Sequence, residues 1–127
     1  MGVIGVVLDT AALVEYAYGH SRVGAYLAVA ADKGDIALVP ATCLASAYRD
    51  VNAAGSDLLD VLSNLDHIVV APLEADHCAV VGGWARTLGL DTAHAAIEAA
   101  FARSPLITRK RHLVTKFLAP QWPIVDI

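Results

Sequence analysis

A short apolar run that ends in an acid, Val3–Thr10, constrains the fold of this chain more than any other stretch. Its residues up to Leu8 are mostly β-branched and show no polar alternation, which is typical of a strand covered on both faces. Asp9 follows directly. Ligands of open parallel α/β sheets bind in the crevice outside the carboxyl ends of the strands. The run therefore predicts a buried parallel strand with Asp9 at a functional edge.

Length and composition fit one α/β domain spanning residues 1–127. The apolar fraction is 57% and the charged fraction 17%, against about 45–50% and about 25% in typical domains. This excess fits a sheet buried on both faces, with apolar surface left for a partner or a second copy. The net charge of −4 argues against non-specific nucleic-acid binding through the overall field, but leaves a local basic patch open.

Targeting and redox features predict a cytoplasmic protein without a membrane partner. The first apolar run has no basic n-region and is interrupted by Asp9, too early for a signal segment. No later apolar run approaches the roughly 20 residues of a transmembrane helix. Cys43 and Cys78 lie in apolar helical patterns, so we expect both to be buried free thiols.

Strand and helix patterns alternate along the chain and predict the fold class. Strands are predicted at 3–8, 35–39, 67–71, 105–108 and 123–127. Helices are predicted at 11–18, 22–32, 41–53, 57–65, 73–88 and 92–103. In the helix at 57–65, Leu58, Leu59 and Leu62 are expected to point inward. Strands separated by helical segments form right-handed crossovers. The prediction is a three-layer α/β/α domain with a mostly parallel central sheet of about five strands.

Four motifs in order carry a resemblance to a known family. They are Val6–Thr10, then Leu38–Pro40 followed by a helix, then Leu90–Ala96, and finally Leu106–Thr108. In this order and spacing the chain resembles a PIN domain over essentially its whole length. It is most similar to the small single-domain toxins of bacterial toxin–antitoxin pairs.

The resemblance implies a metal-dependent ribonuclease whose three or four carboxylates gather around Mg²⁺ or Mn²⁺. Such ions take oxygen ligands, activate water and stabilise charge on the phosphate. In this pattern Asp9 matches the first acid, and Asp91 matches the acid at the head of a late helix. The resemblance also implies a homodimer, with an antitoxin protein and RNA as possible partners.

Two of the four acids implied by the resemblance are absent. Ser46 stands where a glutamate is expected, and Lys110 stands where an acid should follow the strand-end Thr108. These replacements change the local formal charge from about −4 to about −1, and Mg²⁺, which dehydrates reluctantly, has little reason to enter such a site. We therefore hypothesise that Lys110 reaches toward Asp9 and Asp91 and supplies the positive charge instead. We therefore predict that the protein has no cofactor. If the site is functional, the cofactor is Mg²⁺ or Mn²⁺.

Asp50 is the only candidate for a substitute ligand on the helix that carries Ser46. It follows Ser46 by four residues and so faces the same way one turn along. The simpler interpretation is an exposed helix charge paired with Arg49. Glu15 is assigned to a solvated helix face.

Other polar residues near the expected site have structural interpretations beside functional ones. Thr10 is predicted to cap the first helix, with a secondary role in orienting Asp9. Thr108 either hydrogen-bonds within the site, as the resemblance implies, or caps the strand end. His94 shares a helix face with Asp91 and is interpreted as a packing or capping residue in preference to a ligand.

The chain has one basic cluster, which follows the strand that ends at Thr108. It consists of Arg103, Arg109, Lys110, Arg111 and Lys116. Such a cluster can be a solvated face, a contact for a phosphate backbone, or a dock for an acidic partner.

Two functions of different class remain. The first is a pseudo-nuclease that keeps the fold and a dimer or partner surface without metal catalysis. The second is a weakly active Mg²⁺- or Mn²⁺-dependent endoribonuclease that uses Asp9 and Asp91 with a substitute such as Asp50. Lys110 favours the first, because an ammonium is hard to reconcile with a cation site.

Overall fold

The computed structural model describes residues 3–127 and contains a central sheet of five parallel strands. The predicted domain boundaries include residues 1 and 2, which lie outside the described part. The strands are β1 (Ile4–Leu8), β2 (Ile36–Pro40), β3 (Ile68–Ala71), β4 (Leu106–Thr108) and β5 (Ile124–Asp126). They lie side by side in the order β3-β2-β1-β4-β5. This arrangement and its flanking helices confirm the predicted three-layer α/β/α fold.

Helices connect every successive pair of strands, which is why the sheet is parallel. The described residues contain α1 (Thr10–Ala17), α2 (Ser21–Asp32), α3 (Ala41–Asp50), α4 (Ala53–Ser63), α5 (Cys78–Leu88), α6 (Leu90–Ala102) and α7 (Arg111–Val114). The short helix α7 was not predicted, since four residues are too few for a periodic pattern.

The central strands are buried on both faces. Val6, Val7 and Leu8 follow one another in β1 and are all at most 5% exposed. Because successive side chains of a strand point to opposite faces, this burial requires helices on both sides of the sheet. The all-apolar pattern at the N-terminus is thus explained by its position in the middle of the sheet.

The predicted boundary between the third and fourth helices was wrong. The chain leaves the helix after Asp50 and starts α4 at Ala53, because the Asn52 side chain accepts a hydrogen bond from the Gly55 amide at 2.9 Å. Gly55 is therefore a helix residue and not a break. A Cβ atom at Gly55 would lie 2.8 Å from Cβ of Val51, so the close packing of this corner requires glycine.

Two predictions of burial were also wrong. Leu58 was expected to point inward, but its side chain is 39% exposed, whereas Leu59 and Leu62 are fully buried. Cys78 was expected to be buried but is exposed, and Cys43 is buried as predicted. The reason for the first error is that α4 buries a narrow face that excludes position 58. The second arises because the long predicted helix begins as a 3₁₀ turn, and Cys78 is the first residue of α5.

None of the helices in residues 3–127 has the length and apolar character needed to span a membrane.

Candidate functional site

The candidate site lies where the order of strands reverses direction. From β1 the chain proceeds to β2 and β3 on one side, then crosses to β4 and β5 on the other. The carboxyl ends of β1 and β4 therefore border the topological switch point, where ligands bind in open α/β sheets. Asp9 follows β1 and Thr108 ends β4, and the Asp9 amide donates to the Ile107 carbonyl at 3.2 Å.

Asp9 caps α1 and is almost fully buried, with an exposed fraction of 2%. Its Oδ1 atom accepts a hydrogen bond from the Ala12 amide at 3.0 Å. The prediction that Thr10 is the cap was wrong by one residue, because Thr10 is the first residue of the helix. Capping holds the Asp9 carboxylate at the helix N-terminus, where its negative charge is favoured.

Burial nevertheless raises the pKa of Asp9 above its ordinary value, and the negative charge of Asp91 adds to the effect. Hydrogen bonds from the Thr108 hydroxyl and the Ala12 amide, together with the positive charge of Lys110, act in the opposite direction and lower this pKa. Desolvation is the largest cause, so the folded protein binds a proton at Asp9 more readily than the unfolded chain does.

Thr10 connects Asp91 to the first helix. Its hydroxyl donates to Oδ2 of Asp91 at 2.5 Å. Asp91 is the second residue of α6, which begins at Leu90, two positions before the predicted start. Gly89 precedes the helix at φ 81° and ψ 158°, a conformation that is costly for other residues. A Cβ atom there would be in ordinary van der Waals contact with Oδ1 of Asp91, at 3.4 Å, so the positive φ and not the space favours glycine at position 89.

Lys110 points into the site from the loop after β4. Its ammonium donates to the carbonyl of Leu88, the last residue of α5, at 3.2 Å, and its amide donates to the Thr108 hydroxyl at 3.0 Å. Helix C-termini favour such cations. Among the ion pairs of the described chain, none joins Lys110 to Asp9 or Asp91. The ammonium thus acts on Asp9 through its field and binds a carbonyl, not a carboxylate.

Helix α3 contributes Arg49 and Asp50 to the lining of the site, whereas Ser46 does not line it. Ser46 is half-buried and lies one turn before Asp50. Asp50 pairs with its neighbour Arg49, with Nε to Oδ1 at 2.8 Å and Nη2 to Oδ2 at 3.3 Å. This hydrogen bonding lowers the pKa of Asp50. The geometry agrees with the simpler interpretation of Asp50 as an exposed, paired helix charge.

These elements enclose a cleft of about 440 Å³, which we call the acidic cleft. Three carboxylates and three cationic side chains line it: Asp9, Asp50, Asp91, Arg49, Arg109 and Lys110. The charges of the two sets balance when all the carboxyl groups are ionised.

The side chains of the acidic cleft are poorly suited to hold a divalent cation. Asp9 caps a helix, Asp91 accepts from Thr10, and Asp50 is paired with Arg49. Within residues 3–127 no group of three or more His, Cys, Asp or Glu side chains is arranged to hold a metal ion. This donor set does not fit a site in which several carboxylates hold Mg²⁺ or Mn²⁺.

The predicted basic cluster is divided by the fold. Arg109 and Lys110 line the acidic cleft, whereas Arg111 donates to the Ile124 carbonyl at 3.2 Å and Lys116 is exposed beyond α7. Arg103 follows the C-terminus of α6, whose first turn carries Asp91. A helix of this length spans about 20 Å, so Arg103 lies at the opposite end of the domain from the site.

Glu15 is the residue that sequence reasoning misassigned most clearly. It was placed on a solvated face, but its side chain is only 4% exposed. Nε of Arg22 lies 2.5 Å from Oε1 of Glu15, and Nη2 of Arg109 lies 3.6 Å from Oε2. Both partners come from other elements, so no local pattern indicated this cluster.

His94 has the packing role that was predicted. It is fully buried, with Nδ1 2.8 Å from the Thr42 hydroxyl oxygen and Nε2 3.3 Å from Oε1 of Glu98. Beside it Cys43 donates from Sγ to the Asp91 carbonyl at 3.1 Å, and burial raises the pKa of this thiol. These residues support the floor of the site from below.

Asp9→Asn is expected to stabilise the fold at pH 7 by about 1 kcal/mol. Asparagine keeps the helix cap and removes the cost of an ionised buried carboxylate. Because the folded pKa lies above the unfolded value of 3.8, wild-type stability is lost as the pH rises through the folded pKa. The gain should therefore be present at pH 7 and vanish below about pH 3.8. Urea unfolding at both pH values measures it, with exposed Asp126→Asn as control; destabilisation at pH 7 would contradict the assignment.

Comparisons with known proteins do not assign this chain to a family, so the conclusions about the site depend on its own geometry. No protein-family model matches the chain, and a search of curated proteins finds no matching relative.

Proposed function

We propose that this chain is a PIN-like domain that has lost metal-dependent catalysis and acts as a binding module, in short a pseudo-nuclease. The motifs around Asp9 and Asp91 support the family, and the parallel sheet with its switch point agrees with it. The observation that carries the loss of catalysis is the position of Lys110. Its ammonium lies 3.2 Å from the Leu88 carbonyl and faces the cleft in which a cation would have to bind.

The electrostatics of the cleft support this proposal. A divalent cation must displace water and gain several carboxylate oxygens in return. Here it would meet a fixed ammonium and compete with the Thr10 hydroxyl for Asp91. The remaining acids are balanced by cations of the same chain. A module that stabilises its own cleft in this way does not need a metal to fold.

A protein partner is part of the proposal. Apolar side chains are exposed on α4 and on the edge strand β3, among them Val61 at 56% and Val69 at 41%. The two elements are in contact, so these side chains belong to neighbouring surfaces. We propose that a second copy of the chain, as a homodimer, or an antitoxin protein covers part of this surface.

One observation favours the second candidate, a weak Mg²⁺- or Mn²⁺-dependent endoribonuclease. Asp50 lines the same cleft as Asp9 and Asp91. Its pairing with Arg49 is largely exposed, and exposed ion pairs contribute little to stability. Asp50 is therefore free to turn toward a ligand in the cleft.

Cleavage of single-stranded RNA distinguishes the two candidates. If the protein is a pseudo-nuclease, the wild type with Mg²⁺ or Mn²⁺ should cleave RNA no faster than Asp9→Asn prepared identically. Any cleavage common to both preparations would come from contaminants. Asp126→Asn serves as the matched control outside the cleft. Cleavage that is lost in both Asp9→Asn and Asp50→Asn, but retained in Asp126→Asn, would reject the pseudo-nuclease and support the weak enzyme.

A further inference from the structure

A second cavity, of about 310 Å³, adjoins the acidic cleft; we call it the arginine pocket. It is lined by Val14, Glu15, Tyr18, His20, Arg22 and Arg109. Val14 and Arg109 line both cavities, so the two are neighbours on the protein. Pockets that bind small molecules have volumes of about 300–1,000 Å³, and the arginine pocket is just large enough for one.

Glu15 fixes the two arginines of this pocket. Its buried carboxylate receives Nε and Nη2 of Arg22 at 2.5 and 3.3 Å, and Nη2 of Arg109 lies 3.6 Å away. Hydrogen bonding by Arg22 lowers the pKa of Glu15, so this carboxylate is ionised at neutral pH. The lining of the pocket thus holds two guanidinium groups and one carboxylate, and the charge of Asp126 also acts on Arg22.

The arginines keep donors that the protein does not use. The side chains of Arg22 and Arg109 are 55% and 62% exposed although both pair with a buried acid. Arg22 also donates from Nη2 to the Ile127 carbonyl at 3.2 Å, which further restricts its position. Planar guanidinium groups held in this way present N–H pairs that match the oxygens of a phosphate.

Tyr18 gives the pocket a second kind of recognition. This residue is 54% exposed and lines the same cavity as the two arginines. Exposed aromatic rings stack on nucleobases with little sequence preference. Positive charge and an aromatic face in one small cavity are complementary to a phosphate joined to a planar ring.

We propose that the arginine pocket binds a nucleotide, with its phosphate on Arg22 and Arg109 and its base on Tyr18. This goes beyond the proposed function, since it requires neither a metal nor an active acidic cleft. The same chemistry is offered by a free mononucleotide and by the phosphorylated end of a nucleic-acid strand. The neighbouring acidic cleft provides space for further nucleotides of such a strand.

Calorimetric titration with AMP, adenosine and inorganic phosphate tests the proposal. We expect AMP to bind at least about tenfold more tightly than adenosine, since charge-assisted hydrogen bonds carry this difference. Arg109→Gln should weaken AMP binding at least about tenfold. Arg109 is chosen over Arg22 because Glu15 then keeps its closer partner. Arg103→Gln is the matched control, with the same change in charge at the far end of α6, and should leave binding unchanged.

Four results would overturn the proposal. They are no binding of AMP, equal binding of AMP and adenosine, equal weakening by Arg103→Gln and Arg109→Gln, and binding of an acidic peptide in place of AMP. Equal affinities for inorganic phosphate and AMP, unaffected by Tyr18→Ala, would overturn the role of the aromatic ring. A 5′-phosphorylated trinucleotide that binds more tightly than AMP assigns the pocket to strand ends, and equal affinities assign it to free nucleotides. Thermal unfolding of each variant verifies that the fold is retained.

Discussion

The double variant Ser46→Glu/Lys110→Asp is expected to bind Mn²⁺ at least about a hundredfold more tightly than the wild type. It places acids at both positions where the PIN-like pattern implies them. Ser46 lies on α3 one turn before Asp50, which lines the acidic cleft. Lys110 already points into that cleft. The variant therefore tests whether these two replacements are what excludes the cation.

Coulomb's law supports a large effect. A pair of unit charges about 5 Å apart interacts with about 3 kcal/mol at an effective dielectric constant of about 20. Replacing the ammonium of Lys110 with a carboxylate changes the local charge by two, and the Ser46 replacement adds a third unit. Even after desolvation costs, an increase of about 3 kcal/mol in the free energy of binding corresponds to the hundredfold gain.

Matched variants separate this effect from a general gain of negative charge. Lys116→Asp makes the same two-unit change in charge as Lys110→Asp, but at an exposed position outside the cleft, and should leave Mn²⁺ affinity near that of the wild type. Adding Asp9→Asn to the double variant should abolish the gain. If the double variant folds but binds Mn²⁺ no better than Lys116→Asp does, the proposed alignment of Ser46 and Lys110 with metal-binding positions is wrong.

Leu59→Ala is expected to lower the free energy of unfolding by about 3 kcal/mol. Leu59 is fully buried in the core beneath α4, so truncation removes apolar contacts and leaves a cavity. The loss is a large part of the total stability of a small domain, which is about 5–15 kcal/mol. Urea unfolding followed by circular dichroism measures it.

The neighbouring leucine is the natural control for this experiment. Leu58→Ala makes the same chemical change at a side chain that is 39% exposed, and should cost less than about 1 kcal/mol. Similar losses for both variants would mean that α4 is rotated relative to the orientation described above.

The fold was predictable because its determinants are local. The unbroken apolar run that ends at Leu8 indicated a strand buried on both faces, and Val6 to Leu8 are buried as that pattern requires. The predicted helix boundary was wrong where a single side-chain contact determines the local structure. Gly55 belongs to a helix because it packs against Val51, and glycine in a sequence more often indicates a break.

The candidate site was predictable only in part. Strand topology brought Asp9, Asp91 and Lys110 to one cleft, as expected from their positions at strand and helix ends. The role of Thr10 as a donor to Asp91 and the burial of Glu15 were not predicted. Both depend on partners far along the chain or in another helix. No periodicity encodes such pairs, because the fold, not the local sequence, determines the distance between them.

Calorimetric titration of Mn²⁺ into the wild-type protein, beside Asp9→Asn, tests the central claim most directly. The pseudo-nuclease proposal predicts that neither protein shows saturable binding. Lys110 already supplies positive charge to the cleft, and the carboxylates of Asp9 and Asp91 already accept hydrogen bonds from the protein. Saturable binding in the wild type that disappears in Asp9→Asn would contradict the proposal and identify the acidic cleft as a working metal site.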